Sequence, residues 1–147
     1  MAKDAINLLD ADHVRVESLF RDFQAADIDP ATRLDIAQVI CMELTLHAML
    51  EEELFYPAFA QATGDRQMVE HARTEHEELK DLIAQVPNAP DVAAVIARLQ
   101  KSTMEHVEEE RREMFAKAKS SGMDLAELGR QLEIRKNELA TTIHQAV

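Results

Sequence analysis

Apolar residues recur at spacings of three and four along four long stretches of the chain, the signature of amphipathic helices packed through one face. The first stretch places Ile6, Leu9, His13, Val16, Phe20 and Phe23 on one side. The second places Ile36, Ile40, Glu43, His47, Glu51, Leu54 and Ala58 there. The third gives Met68, Ala72, His76, Leu79, Ile83 and Val86, and the fourth Val92, Ile96, Leu99, Thr103, His106, Glu110 and Met114. Helix-breaking punctuation falls between them, at Asp27-Ile28-Asp29-Pro30, Thr63-Gly64-Asp65, Pro87-Asn88-Ala89-Pro90-Asp91 and Ser120-Ser121-Gly122. Asp29 reads as an N-cap with Pro30 at the first helical position, and Gly122 as a C-terminal stop with Asp124 capping the next helix. The spacing predicts helices over roughly residues 4–26, 31–62, 65–86, 91–119 and 124–145. Connections this short force neighbours to run antiparallel. The predicted fold is all-α, an up-down four-helix bundle over residues 1–120 with an additional C-terminal amphipathic helix in 121–147. That last helix carries a Leu125, Leu128, Leu132, Leu139 and Ile143 stripe, which packs on the bundle or forms a dimer contact.

Composition narrows the class further. A chain of 147 residues fits one domain and is long enough to bury a core without staples. Only 3 Gly, 4 Pro and 1 Tyr, against 46% apolar residues, leave little material for turns and strands. The net charge of −12 argues against nucleic acid and anionic membrane surfaces as partners. The opening MAKDAINLLDAD meets acid too early for a signal peptide, and no apolar run reaches membrane-spanning length. With a single cysteine, Cys41, no internal disulfide forms. The expected location is cytoplasmic.

The informative positions are the interruptions of the apolar faces. One histidine sits on each of the four, and on the second and fourth a glutamate stands one turn later. A buried polar group without a partner costs about 1–3 kcal/mol. Six of them would cost on the order of 6–18 kcal/mol, comparable to the whole ~5–15 kcal/mol stability of a domain. Hydrogen bonds among themselves offset part of that. A metal offsets it more directly, because neutral imidazoles and ionised carboxylates are ligands that suit iron or manganese. The segment His47-Ala-Met-Leu-Glu51 also echoes His106-Val-Glu-Glu-Glu110. Two similar half-sites on non-adjacent helices fit a binuclear centre, and chance likeness of amphipathic helices is the plainer alternative.

Four pieces, ADHVRVESLF around His13, LHAMLEEELFYPAF around His47 and Glu51, TEHEELKDLIAQV around His76 and EHVEEERREMF around His106 and Glu110, together resemble the hemerythrin-like HHE cation-binding family. The resemblance spans about residues 10–118 in the family's order. It implies a four-helix bundle holding two Fe ions joined by an oxo or hydroxo bridge. Carried over residue by residue, His13 and His47 cap one iron, His76 and His106 cap the other, and Glu51 and Glu110 bridge the pair.

Two positions depart from the oxygen-carrying members. Their further histidine, one turn before the place of His76, is Ala72 here. Their second bridging carboxylate is an aspartate at longer spacing. His71 is five residues from His76, about 140° round the helix, so it is no simple replacement; it reads as a surface residue or a partner of a ligand, with a ligand role as the less favoured alternative. The iron beside His76 then carries an open or water-filled position, or takes a ligand such as Tyr56 or Glu43. Glu17 and Glu75 stand four residues after His13 and His71, and both fall off the apolar faces. They read as solvated or as partners of the imidazoles.

The chain supports three functional readings. The first is a non-heme di-iron protein that binds or reduces oxygen, nitric oxide or peroxide, in a dry pocket made by Phe20, Phe23, Leu50, Leu54 and Leu79. The second is an oxygen-, iron- or redox-sensing module in which occupancy acts on the fifth helix, with a homodimer through that helix as one form. The third is a structural bundle without a physiological metal. No HExxH, EF-hand, phosphate loop or GxSxG is present, and Cys41 reads as an inert small hydrophobe.

Overall fold

A computed structural model describes residues 3–25 and 27–145, with side chains through residue 142. Five helical rods account for these residues, and none of them forms a strand. Helix α1 is Ala5–Gln24. Helix α2 runs as Pro30–Leu50, passes through a π turn at Glu51–Phe55 and resumes as Tyr56–Thr63. Helix α3 is Arg66–Gln85, extended by a 3-10 turn at Val86–Asn88. Helix α4 runs as Val92–Glu109, with a π turn at Glu110–Phe115 and a final Ala116–Ser120. Helix α5 is Leu125–Gln145. Each rod starts at an aspartate whose carboxylate accepts a backbone N–H three residues on: Asp4 from Asn7, Asp29 from Thr32, Asp65 from Met68, Asp91 from Ala94 and Asp124 from Glu127. Such caps are worth about 1 kcal/mol each. Gly64 and Gly122 end α2 and α4 at φ of 72° and 81°, where other residues are strained.

The first four helices form the antiparallel bundle, and α5 lies along α1 and α2. The core divides into two apolar halves. One holds Val16, Phe20, Phe23, Ile40, Leu44, Leu79, Ile96 and Leu99. The other holds Leu9, Leu50, Phe55, Tyr56, Phe59, Phe115 and, from α5, Leu128, Leu132 and Leu139. Ile143 falls outside the described side chains. Between the halves runs a polar layer of Asp12, His13, His47, Glu51, His76, Thr103, His106 and Glu110, all buried.

The face of α1 is as the spacing predicts, whereas on α3 Val69 and Leu82 are buried with Ala72, His76 and Leu79, and Met68 and Ile83, predicted inward, are only partly so. On α2 the register changes at the π turn. Phe55, Tyr56 and Phe59 are fully buried, while Leu54 and Ala58, predicted inward, are only partly so. Residues five apart on an α-helix stand about 140° apart. The wider turn, closed by the Tyr56 N–H donating to the Glu51 carbonyl, turns Tyr56 toward the same interior as Glu51. Pro57 comes next, with no N–H to continue that ladder. On α4 the corresponding turn keeps Met114 buried and adds Phe115 and Ala118.

Candidate metal centre

Each bundle helix brings one imidazole into the polar layer, and α2 and α4 each add a carboxylate. The Nε2 atoms of His13 and His47 face each other at 3.1 Å. His47 Nε2 lies 3.2 Å from Glu51 Oε1, which lies 3.1 Å from His76 Nε2. His13 Nε2 is 3.2 Å from Glu110 Oε1, and His106 Nε2 is 3.4 Å from Glu110 Oε2. Glu51 and Glu110 therefore each span from the His13–His47 side to the His76–His106 side. The ligand atoms of His13, His47, Glu51 and Glu110 lie within 4.8 Å of one another, close enough to hold an ion, as do those of Glu51, His76 and His106. All six residues that the sequence singles out meet in one layer.

The outward nitrogens explain why these lone pairs point inward. His13 Nδ1 meets Asp10 at 3.1 Å, His47 Nδ1 meets Asp12 at 3.0 Å, His76 Nδ1 meets Glu52 at 3.1 Å and His106 Nδ1 meets Glu75 at 2.8 Å. A carboxylate accepting from Nδ1–H fixes the tautomer that leaves Nε2 bare. Three of the four carboxylates are held in turn by a cation: Asp10 by Arg111, Asp12 by Lys136 and Glu52 by Lys80. Of the four, only Glu75 stands out in the sequence. The other three act across helices or off the apolar face, where periodicity gives no signal.

The donor set fits metal ions. Glu51 Oε2, Glu110 Oε1 and His106 Nε2 are buried without a hydrogen-bond partner, a state that costs about 1–3 kcal/mol each unless a cation takes the lone pairs. Six carboxylates, those of Asp10, Asp12, Glu51, Glu52, Glu75 and Glu110, stand against three basic side chains. The cluster draws positive charge accordingly. Burial pulls the His47 imidazole down, but the Glu51 charge and the Asp12 hydrogen bond overcome it and hold it well above its ordinary value. His106 is pushed up to about 10 against burial by Glu110 and Glu75. Burial raises Glu51, yet the His47 charge and hydrogen bonds leave it well below the usual carboxylate range.

The remaining candidate residues separate cleanly in space. Tyr56 stands in the layer, its Oη 3.0 Å from His76 Nε2, 3.2 Å from Glu110 Oε2 and 3.3 Å from Glu51 Oε1. Glu43 is not there. It accepts from Arg15 at 3.0 Å away from the ring, which corrects its reading as a ligand. His71 is exposed and lies 2.9 Å from Glu109 Oε1 and 3.6 Å from Glu75 Oε2, outside the ring. Glu17 pairs with Arg111 at 3.1 Å. Burial pushes the half-buried Cys41 thiol up to about 11, which leaves it protonated and inert.

A cavity of about 120 Å³ abuts the four imidazoles. Val16, Leu44, Leu79, Ile83, Thr103 and Val107 line its largely apolar wall. Of the pocket residues expected from sequence only Leu79 belongs to it. Phe20, Phe23 and Leu50 instead fill the core on either side of the polar layer, and Leu54 packs at the edge of one half.

No helix among the described residues is long and apolar enough to cross a membrane. The fold matches the crystal structure of a hemerythrin HHE cation binding domain-containing protein from Mycobacterium kansasii with a TM-score of 0.79, covering 92% of this chain and 86% of that one at 23% identity. A protein of Nostoc sp. (strain PCC 7120) described as a DNA nickase is 31% identical over 121 residues. That match takes in 78% of this chain, which spans about a third (34%) of the relative's length. The hemerythrin HHE cation binding domain matches residues 4–118. With the His and Glu ring inside those limits, the chain belongs to the hemerythrin HHE cation-binding family.

Proposed function

We propose that this chain is a non-heme di-iron protein that binds or reduces a small ligand: oxygen, nitric oxide or peroxide. His13 and His47, with Glu51 and Glu110, would hold one ion. His76 and His106 would hold the other, sharing the same two carboxylates, with Tyr56 in reach where Ala72 supplies no ligand. Two iron ions so held supply Lewis acidity and one-electron redox change at neighbouring positions. Nitrogen and oxygen donors without thiolate favour iron or manganese over softer metals.

The observation that carries the reading is the apolar cavity of about 120 Å³ against the imidazole ring. A water needs only about 10–15 Å³ of such space, so the cavity has room for a diatomic or peroxide. Its largely apolar walls favour a weakly hydrated ligand. Asp10, Asp12, Glu52 and Glu75, each on an Nδ1, would keep the imidazoles oriented while a ligand enters.

The nicking of DNA is not carried over from the Nostoc relative. A net charge of −12 repels a phosphate backbone. A sensing role is the second reading, favoured by the contact between α5 and the Asp12 partner of His47. The absorption spectrum of iron-loaded protein with azide, peroxide and nitric oxide tests the proposal. Ligand-dependent charge-transfer changes that slow in Val107→Phe, at unchanged iron content, are expected. Spectra indifferent to all three ligands contradict it.

A further inference from the structure

Helix α5 begins beyond residue 118, where the family match ends, yet it reaches into the metal centre. Asp12 is 5% exposed, and both its oxygens are engaged: Oδ2 faces His47 Nδ1 at 3.0 Å, and Oδ1 accepts from Lys136 Nζ at 2.6 Å. Among the described residues Lys136 is the one lysine or arginine paired with Asp12. The cations on Asp10 and Glu52 come from α4 and α3, so only His47 depends on an element outside the four-helix bundle. A buried carboxylate without its cation is costly, and Asp12 is the most buried of the four Nδ1 partners.

The seat of α5 is close enough to make this contact well defined. Leu128, Leu132 and Leu139 are buried in the core half that holds Phe55 and Phe115. Phe115 stacks on His13 with ring centroids 5.8 Å apart. Gly129 lies against the start of α1 so tightly that a Cβ would come within 2.5 Å of the Lys3 carbonyl oxygen. Arg135, one residue away, grips Glu53 at 2.8 and 3.2 Å but touches neither imidazole nor Asp12.

We propose that Lys136 is a positioning residue of the metal centre: it holds Asp12, Asp12 holds His47, and so the seating of α5 and cation occupancy beside His13 and His47 reinforce each other. The inference rests on the metal-binding reading above. Coupling of this kind is reciprocal. Loss of Lys136 loosens one cation, and loss of that cation loosens α5.

The test is anaerobic competition for Fe²⁺ between a chelator and wild-type, Lys136→Met, Lys136→Arg and Arg135→Met chains. Removal of such an outer partner weakens metal affinity by roughly 10–100-fold. Lys136→Met is expected to weaken one of two ions by that factor and spare the other, with Lys136→Arg restoring it and Arg135→Met, which removes only a half-exposed pair, weakening it far less. Equal retention in wild type and Lys136→Met, or equal weakening by Arg135→Met, overturns the positioning role. A wild-type chain that holds no Fe²⁺ overturns the metal reading instead, and this inference with it. Amide exchange of the wild-type chain supplies a check that needs no variant to fold. Protection over residues 125–142 is expected to rise with Fe²⁺ beyond that over 92–99, and equal change in both overturns the coupling.

Discussion

His13 and His47 turn their Nε2 atoms toward each other across 3.1 Å, while the opposite nitrogen of each ring meets an aspartate. Two bare lone pairs at that distance repel unless a cation or a proton stands between the rings and the glutamates beside them. The folded chain is thus arranged around positive charge, and its stability should depend on what supplies it. A ligand at 1,000 times its Kd stabilises by about 4 kcal/mol. Chelation should therefore lower the melting temperature by on the order of 10 °C. In His47→Ala the chelator-induced drop should shrink. Calorimetry with and without chelator measures both.

The metal-free protein should carry a pH signature of the same charges. His106, pushed up to about 10 from 6.5, contributes stability that is complete below about pH 6.5 and lost as pH rises through 10. Glu52, held at about 2 by its hydrogen bond to His76 against an ordinary 4.5, contributes stability present above about pH 4.5 and lost as pH falls through 2. Stability of the chelated chain should peak between those limits, about pH 4.5–6.5. Because cations displace protons from the raised imidazoles, Fe²⁺ loading at pH 7 should release protons. Titration calorimetry in buffers of different ionisation enthalpy reads that release, and identical heats would exclude it.

Tyr56 Oη sits within 3.3 Å of His76, Glu51 and Glu110. Burial, then the two carboxylate charges, raise its phenol well above the ordinary value, so ionisation requires a cation. If it serves as the ligand that Ala72 does not provide, ferric protein should show a visible phenolate-to-iron band. Tyr56→Phe should remove that band and leave iron stoichiometry intact. An unchanged spectrum in the variant would assign Tyr56 to hydrogen bonding alone.

The register change on α2 has an energetic consequence. Phe55 is fully buried among Tyr56, Phe59 and Phe115, whereas Leu54 is half-buried at the edge of the core. Phe55→Ala should cost about 3–5 kcal/mol, and Leu54→Ala less than half of that. Denaturant unfolding of the two variants checks it, and a larger loss in Leu54→Ala would restore the uninterrupted α-helical register.

Much of this is readable from the chain. The apolar spacing and the Asp and Gly punctuation place every helix within a few residues, and His13, His47, His76 and His106 stand out because each interrupts an otherwise apolar face. The exchange of Leu54 and Ala58 for Phe55, Tyr56 and Phe59 is not readable. One extra residue in a π turn shifts every later position, and such turns gather at functional sites without a pattern of their own. Asp12 is hidden for a different reason. Its partners, His47 and Lys136, are 35 and 124 residues away, and no periodicity on α1 points to either. Glu43 fails as a ligand because Leu44, not Glu43, is buried at that level of α2, and Glu43 pairs with Arg15.

X-ray diffraction at the iron absorption edge, on crystals of protein purified without added metal, addresses the claim on which the rest depends. The account predicts two anomalous peaks in the polar layer, one bounded by the Nε2 atoms of His13 and His47 and one by those of His76 and His106, with Glu51 and Glu110 between them. Peaks only at surface carboxylates, or no peak in crystals whose solution contains iron, would contradict it.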